Sequence, residues 1–189
     1  MSVSVVIPHY GNAAPTAALV AQLVSQLDAT DEIIVVDDCS PDLCPEIDGA
    51  RVVRRPRNGG FGSTCNSGAA VASGDLLLFL NSDLSIPPGF VAGLVAAAAP
   101  FQPCVAGPAI VDEQGIPDYS ARHFPTIAHQ VAEWTTVLAR WRGTRLGHEL
   151  VGHDTSAMST SSAAATDWIV GAVLLVPRAE FAAVGGFDE

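Results

Sequence analysis

The chain has 189 residues, of which 49% are hydrophobic and 15% are charged, so it can bury a substantial core and is not a disordered polypeptide. Its formal net charge of -11 argues against nucleic acid as a partner, because the phosphate backbone repels an acidic protein. The four cysteines form no CxxC pair and share no zinc-like spacing with histidine, which predicts reduced thiols, with a Cys39–Cys44 disulfide as the alternative.

The first 111 residues alternate between strand and helix patterns. Runs of β-branched and apolar residues predict strands over residues 3–7, 33–36, 52–53 and 76–80, with one or two more within 105–111. Apolar residues at helical spacing predict helices over residues 15–27, 63–72 and 88–98. Because strands that alternate with helices form right-handed crossovers, we predict an α/β fold with a mostly parallel central sheet.

Polar residues follow three of these strands. Tyr10 comes after the first strand, Asp38 after the second, and Asp83 after the apolar run of residues 76–80. The carboxyl ends of parallel strands lie at one edge of a sheet, and ligands bind at that edge in open α/β folds. The sequence therefore predicts that these three residues line one crevice.

The second part of the chain contains an amphipathic helix pattern. Its apolar positions step by three and four residues: Ile127, Val131, Trp134, Leu138 and Trp141. We expect this stripe to pack on the core. The alternative is a surface for a lipid-linked acceptor or a partner, since Arg140, Arg142 and Arg145 follow closely. A mobile loop is predicted over residues 154–166, a strand over 168–176 and a helix over 178–184.

Several familiar motifs are absent from this sequence. His148 and His153 are five residues apart, whereas a zinc-protease helix places its two histidines four apart. The glycines of residues 59–62 do not form a dinucleotide fingerprint after the first strand. We find neither a basic leader nor an apolar run long enough to cross a bilayer, which predicts a cytoplasmic protein.

Six short segments, taken together, resemble the family 2 glycosyltransferases with the GT-A fold, and most of all their rhamnosyltransferase-like bacterial branch. Each segment is weak alone, but the six agree in order and spacing from end to end. They are Val-Val-Ile-Pro-His-Tyr (5–10), Ile-Val-Val-Asp-Asp-Cys-Ser (34–40), Asn-Gly-Gly-Phe-Gly through Asn-Ser-Gly (58–68), Gly-Asp through Asn-Ser-Asp (74–83), Trp-Ile-Val-Gly-Ala (168–172) and Gly-Gly-Phe-Asp-Glu (185–189).

The resemblance implies a Rossmann-like GT-A sandwich formed by a single domain, residues 1–189. Residues 1–111 would be its nucleotide-binding half and residues 112–189 its acceptor-side half, which we expect to be incomplete. The implied reaction is inverting transfer of a sugar, rhamnose in the resembling branch, from a UDP- or dTDP-sugar. The implied acceptor is a polysaccharide or a lipid-linked molecule, with peripheral contact to the inner face of the membrane.

The resemblance also implies roles for individual residues. Asp83 matches the last position of the family's metal-binding acidic motif and is the expected ligand of Mg²⁺ or Mn²⁺, although the first acidic position is Asn81 here. Asp38 matches the residue that accepts a hydrogen bond from the base, and Asp37 is expected to bind backbone donors of its own turn. The full predicted set for the nucleotide sugar is Pro8, Tyr10, Asp38, Asn58, Gly59, Asn81, Ser82 and Asp83.

The family's catalytic base lies in an acidic pair a few residues beyond the segment that ends at Glu189. Asp188 and Glu189 are the nearest carboxylates and are therefore the candidate catalytic residues. Two other functions stay open at this point. One is a non-catalytic module that binds a nucleotide sugar, and the other is a sugar nucleotidyltransferase, whose expected basic phosphate loop is absent from residues 8–12.

Overall fold

The computed structural model describes residues 1–112, 114–134, 144–160 and 162–189, and for Glu133 it describes the backbone alone. The chain divides into two compact units. The larger unit comprises residues 1–106 and 172–189, and the smaller unit comprises residues 107–171. The predicted division into halves at residue 111 stays a prediction.

A five-stranded sheet forms the centre of the larger unit. Its strands are β1 (Val3–His9), β2 (Glu32–Asp37), β3 (Arg51–Arg54), β4 (Leu76–Leu80) and β7 (Val173–Pro177). Their order in the sheet is β3-β2-β1-β4-β7. The first four strands are parallel, and β7 pairs antiparallel with β4. The predicted α/β fold with a mostly parallel central sheet is therefore confirmed.

Helices cover both faces of this sheet. They are α1 (Ala13–Val24), α2 (Gly60–Val71), α3 (Phe90–Ala98) and α7 (Arg178–Ala183), with a short 3-10 turn at Ala99–Phe101. Asn12 caps α1, because its side chain accepts a hydrogen bond from the Ala14 amide at 3.0 Å. Burial on both faces explains why β4 is apolar throughout: each of its five residues is at most 2% exposed.

Helix α2 lies close against the sheet because Gly68 faces it. A Cβ atom added at Gly68 would lie 2.3 Å from Cγ1 of Val6 and 3.0 Å from Cγ2 of Val36. The sequence pattern placed the amino end of α2 at residue 63, and the structure places it at Gly60. The pattern missed this first turn because its two glycines carry no helix propensity.

The smaller unit contains short elements. They are β5 (Ala121–Arg122), α4 (Ile127–Trp134), α5 (Arg145–Leu150), α6 (Thr155–Ser159) and β6 (Trp168–Ile169), and β5 pairs antiparallel with β6. Helix α4 begins at the predicted amphipathic pattern, but Ile127, Val131 and Trp134 are exposed, so the expected packing of this stripe on the core is wrong for its described part. Leu138, Arg140, Trp141 and Arg142 lie outside the described residues. No helix in the described part of the chain is long and apolar enough to span a membrane.

Three sequence-based assignments in this region were wrong. The predicted strand within residues 105–111 is reduced to single bridges at Ala106 and Val111. The predicted strand over residues 168–176 is two strands, because a turn at Gly171 and Ala172 interrupts it. The predicted mobile loop contains α6, whose first turn is capped when Asp154 accepts a hydrogen bond from the Ala157 amide at 2.9 Å.

Candidate functional site

Three parallel strands end at one edge of the larger unit's sheet, and a cavity lies there. The strands β1, β2 and β4 meet the amino end of α2 at this edge. The cavity has a volume of about 420 Å³. It is lined by Pro8, His9, Tyr10, Asp38, Asn58, Gly60, Phe61, Thr64, Asn81, Ser82 and Asp83.

The structure brings together seven of the eight residues predicted to bind a nucleotide sugar. The eighth, Gly59, does not line the cavity, but its amide donates to the Asp38 carboxylate at 3.0 Å. The crevice that the sequence predicted for Tyr10, Asp38 and Asp83 is therefore present. The part that each residue takes in binding stays a prediction.

Asp38 holds the amino end of α2 in place. Its Oδ2 accepts a hydrogen bond from the Gly60 amide at 2.8 Å, and its Oδ1 accepts from Gly59 and from Nη1 of Arg55. Gly59 occupies the cap position of α2 and has no side chain, so Asp38 supplies the acceptor that the first amides need. A carboxylate has about four lone-pair sites, and these donors leave little capacity for a ligand.

Arg55 and Asp38 form a largely buried ion pair. Their side chains are 12% and 6% exposed. Each charge depends on the other, because burying an unpaired charge costs several kcal/mol. Asp38 therefore has a structural role here beyond the predicted contact with a base.

Asp37 organises the loop after β2, as the sequence predicted. Its carboxylate accepts hydrogen bonds from the Ser40 amide at 2.9 Å and the Cys44 amide at 3.4 Å, and it pairs with Arg54. Burial acts to raise the pKa of Asp37, but the hydrogen bonds from Ser40 and Cys44 and the charge of Arg54 outweigh it. The net effect holds this pKa below its ordinary value of 3.8.

This lowered pKa predicts a loss of stability in acid. A carboxyl whose folded-state pKa is depressed stabilises the protein above its unfolded pKa, and that contribution disappears as the pH falls through the folded value. We expect Asp37→Asn to be less stable than the wild type above about pH 5, and the difference to shrink below about pH 4. Urea unfolding of both proteins across this pH range measures it. A difference that stays constant with pH would contradict the prediction.

Aromatic and proline rings contribute to the lining of the cavity. Tyr10 is 58% exposed and Phe61 is 41% exposed, and both line the cavity together with Pro8. Exposed aromatic rings at the mouth of a polar cavity offer flat apolar surfaces on which a planar base can stack. The cavity thus combines these rings with the amide and carboxylate groups of residues 81–83.

Asp83 provides an uncommitted carboxylate directly after β4. The strand ends where the Asn81 amide donates to the carbonyl of Ala172 at 2.9 Å, and Asp83 then lies exposed two residues on. Among the residues that the structure describes, no hydrogen bond or ion pair engages its side chain. The described residues also contain no group of three or more histidine, cysteine or acidic side chains placed to hold a metal.

The oxygen atoms of residues 81–83 fit a cation that is coordinated mainly by a bound substrate and water and only in part by the protein. Mg²⁺ and Mn²⁺ take oxygen ligands, and Mg²⁺ is often bound through one or two carboxylates together with substrate phosphates and water. Asp83 supplies one carboxylate, and Asn81 and Ser82 beside it carry neutral oxygens. The residues present are therefore compatible with a metal bound together with a diphosphate.

Sequence reasoning missed His9, Gly60, Phe61 and Thr64. His9 is 2% exposed, and its Nδ1 lies 2.8 Å from Oγ1 of Thr16 on α1. Its Nε2 is buried and has no hydrogen-bond partner among the described residues. His9 could have been predicted to line the cavity, because it lies in the sequence between Pro8 and Tyr10, which were both predicted site residues. Gly60 and Phe61 lie in the first turn of α2, which the sequence pattern did not detect, and Thr64 lies just beyond it, inside the predicted helix.

Asp188 and Glu189, the candidate catalytic residues, do not line this cavity. The side chain of Asn66 on α2 holds their segment, because its Nδ2 donates to the Phe187 carbonyl at 2.9 Å and its Oδ1 accepts from the Phe187 amide at 2.9 Å. The same Nδ2 donates to Glu189 Oε1 at 3.1 Å. A catalytic role for either residue stays a prediction.

A family model described as "Glycosyl transferase family 2" matches residues 4–161 of the chain. Among curated proteins, the dolichol-phosphate mannosyltransferase of Pyrococcus furiosus is 33% identical over 105 residues, which is 51% of this chain and 30% of that protein. The chain spans only 26–33% of the length of the curated relatives it matches.

Two solved structures show the same fold. Residues 1–349 of S. aureus TarS, in complex with UDP-GlcNAc, align with a TM-score of 0.51 at 26% identity over 64% of this chain and 38% of theirs. The mannosyltransferase PcManGT of Pyrobaculum calidifontis, in complex with GDP-Man and Mn²⁺, aligns with a TM-score of 0.59 at 19% identity over 98% of this chain and 47% of its own. At that identity the second likeness concerns the fold alone. The predicted GT-A architecture is confirmed.

Proposed function

Because this chain belongs to glycosyl transferase family 2, we propose that it forms the donor-binding part of an inverting glycosyltransferase. The proposed donor is a UDP- or dTDP-sugar, with rhamnose as the sugar, as in the branch that the sequence segments resemble. The proposed acceptor is a polysaccharide or a lipid-linked glycan at the inner face of the membrane. The name of the Pyrococcus furiosus relative, a dolichol-phosphate mannosyltransferase, supports a lipid-linked acceptor.

One observation carries this proposal. The cavity at the carboxyl edge of the sheet combines exposed aromatic rings, Tyr10 and Phe61, with the uncommitted carboxylate of Asp83. Exposed aromatic rings together with an uncommitted carboxylate suit a ligand with a flat base at one end and a metal-bound diphosphate at the other.

Each group then has a task. A bound Mg²⁺ or Mn²⁺ would neutralise the negative charge of the leaving diphosphate. Asp83 would hold that cation, and Tyr10, Pro8 and Phe61 would stack on the base. The remaining acceptor site of Asp38 would take the imide N–H of uracil or thymine, which lies between two carbonyl groups. An acceptor hydroxyl would be deprotonated by a carboxylate, for which Asp188 and Glu189 are the proposed candidates.

Calorimetric titration of UDP, dTDP and GDP, with and without Mn²⁺, tests the donor site. We expect UDP or dTDP to bind in the presence of Mn²⁺ and to bind much more weakly without it, because the carboxylate at Asp83 repels a bare diphosphate. GDP is expected to bind weakly, since guanine does not present an imide N–H between two carbonyls. Absence of binding by every nucleotide would contradict the proposed function, whereas strong GDP binding would contradict only the choice of base.

A non-catalytic nucleotide-sugar module is the second candidate. It is favoured by the position of Glu189, whose side chain is tied to Asn66, and by the cavity itself, where the described lining contains no carboxylates besides Asp38 and Asp83. Incubation with a donor and water or acceptor separates the two functions. Release of nucleoside diphosphate is expected from a transferase and is not expected from a binding module.

A further inference from the structure

A second cavity lies wholly within the smaller unit and differs chemically from the first. Its volume is about 230 Å³, and its polar lining comes from Tyr119, Arg145, His148, Thr155 and Ser159. No acidic side chain belongs to this lining, as far as the described residues go. That composition is unexpected in a chain with a formal net charge of -11. Hydrogen-bond donors without a carboxylate favour an anionic occupant.

Arg145 is oriented by a chain of hydrogen bonds. Its Nε donates to Oγ1 of Thr155 at 3.1 Å, and the same hydroxyl donates to Oε1 of Glu149. Hydrogen bonds from Thr155 hold the pKa of Glu149 below its ordinary value, so this carboxyl stays an acceptor at neutral pH. With Nε occupied, the edge formed by the two terminal nitrogens is the part of the guanidinium left for a ligand.

That edge is suited to a phosphate. Two parallel N–H donors of a guanidinium match two oxygens of a phosphate group, which gives a bidentate, charge-assisted contact. Among the described residues no carboxylate forms an ion pair with Arg145. Its hydrogen bond to Thr155 therefore positions the guanidinium without neutralising it.

Tyr119 and His148 form a rigid wall of the same cavity. The ring of Tyr119 stacks on His148 with a centroid distance of 3.8 Å and on His153 at 4.7 Å. The two histidines are joined through their Nδ1 atoms at 3.0 Å, so one of these nitrogens donates and the other accepts. Because Nδ1 of His148 is used in this way, its Nε2 is the nitrogen that can meet a ligand. Tyr119 contributes a phenolic O–H.

We propose that this cavity binds a phosphate group of the acceptor, with Arg145 as the bidentate contact and Tyr119 and His148 as further hydrogen-bond partners. The identity of the carrier rests on the proposed function, in which the acceptor is a polysaccharide or a lipid-linked glycan. The phosphate site itself does not depend on transfer activity. The cavity is proposed only to bind the phosphate group of the acceptor; no covalent bond forms or breaks there.

The test uses the full chain and inorganic phosphate, followed by NMR of the backbone amides. We expect phosphate to shift the amides of Tyr119 and of residues 144–159, and Arg145→Gln to weaken this binding roughly tenfold or more. Tyr119→Phe keeps the ring stack and is expected to weaken binding by a smaller factor, on the order of two- to tenfold. Arg51→Gln, which removes an exposed arginine of β3, is the matched control and should leave the shifts unchanged.

Two results would overturn the proposal: no shifts in these residues, or equal phosphate affinity in the wild type and Arg145→Gln. Arg145→Lys guards against a folding defect, since it keeps the charge but loses the bidentate edge and should give intermediate affinity. Titrating UDP with Mn²⁺ into the same samples reports separately on residues 10, 58–61 and 81–83, so the failure of the donor site is distinguishable from that of the phosphate site.

A vesicle assay identifies the carrier. Co-sedimentation with phosphatidylcholine vesicles that contain a polyprenyl monophosphate, but not with phosphatidylcholine alone, assigns the phosphate to a lipid. This co-sedimentation should weaken in Arg145→Gln. Binding of inorganic phosphate without such co-sedimentation assigns the cavity to a water-soluble phosphorylated acceptor, and both results support the phosphate site.

Discussion

Replacing Asp38 with alanine is expected to lower the free energy of unfolding by about 3–5 kcal/mol and to abolish nucleotide binding. The substitution leaves the buried guanidinium of Arg55 without its partner and removes the acceptor of the Gly59 and Gly60 amides. Both losses fall on the amino end of α2, which borders the cavity. Urea unfolding and nucleotide titration of the same protein measure the two effects.

The control for this substitution is Asp42→Ala. Asp42 is an exposed acidic residue in the same loop, and its removal should change stability by no more than about 0.5 kcal/mol. The double variant Asp38→Ala with Arg55→Met should lose less stability than Asp38→Ala alone, because no buried charge is left unpaired. If Asp38→Ala keeps full stability and loses only nucleotide affinity, then Asp38 acts on the base alone and the structural role is wrong.

Replacing Asp83 with alanine is expected to weaken Mn²⁺-dependent nucleotide binding and to leave the free energy of unfolding nearly unchanged. Its side chain is exposed and has no described partner, so stability should change by no more than about 0.5 kcal/mol. The affinity for UDP in the presence of Mn²⁺ should fall on the order of 100-fold, because the protein loses the carboxylate proposed to hold the cation. Titrations with and without Mn²⁺ measure this change directly.

Asp28→Ala is the matched control for the second substitution. Asp28 is also an exposed aspartate, but it follows α1 and lies near the opposite edge of the sheet. Its removal should leave the Mn²⁺-dependent affinity unchanged, which excludes an effect of net charge. Equal Mn²⁺-dependent binding by Asp83→Ala and the wild type would remove Asp83 from the proposed metal site.

Asp38 and Asp83 lie at the same edge of the sheet, but the first is expected to contribute to stability and the second to ligand binding. Asp38 accepts hydrogen bonds from Arg55, Gly59 and Gly60 and so holds the backbone at the cavity in place, whereas Asp83 is uncommitted and exposed. A binding site needs both kinds of residue. The protein group that contacts the ligand must have no protein partner, and other residues must hold the backbone around it in place. The cavity can therefore lose affinity through either residue, by different physical routes.

Local patterns in the sequence were sufficient for most of the larger unit. The apolar run at β4 and the β-branched run at β1 predicted buried strands, because a strand covered on both faces needs apolar side chains at every position. The carboxyl ends of parallel strands then had to meet at one edge, so Tyr10, Asp38 and Asp83 could be placed together without coordinates. The resemblance to family 2 glycosyltransferases then indicated a nucleotide sugar as the ligand.

Three features depended on contacts between distant residues. Asp38 and Arg55 are seventeen residues apart, and no local pattern indicates that they pair. The amino end of α2 contains glycines that disfavour a helix, and it forms because Asp38 supplies the missing cap. The cavity of the smaller unit requires Tyr119 to meet residues 145–159, across segments whose short elements have weak periodicity.

Periodicity and chain direction, which are local properties of the polypeptide, were enough to predict the α/β architecture, the edge at which the donor cavity lies and the meeting of Tyr10, Asp38 and Asp83 there. The family resemblance supplied the other members of the predicted set, of which Pro8, Asn58, Asn81 and Ser82 line the cavity. The distribution of protein donors between the two carboxylates, most of them on Asp38 and none described on Asp83, could be read from the three-dimensional contacts alone. That outcome depends on the distances between side chains on separate elements, and burial makes each such pairing a matter of several kcal/mol.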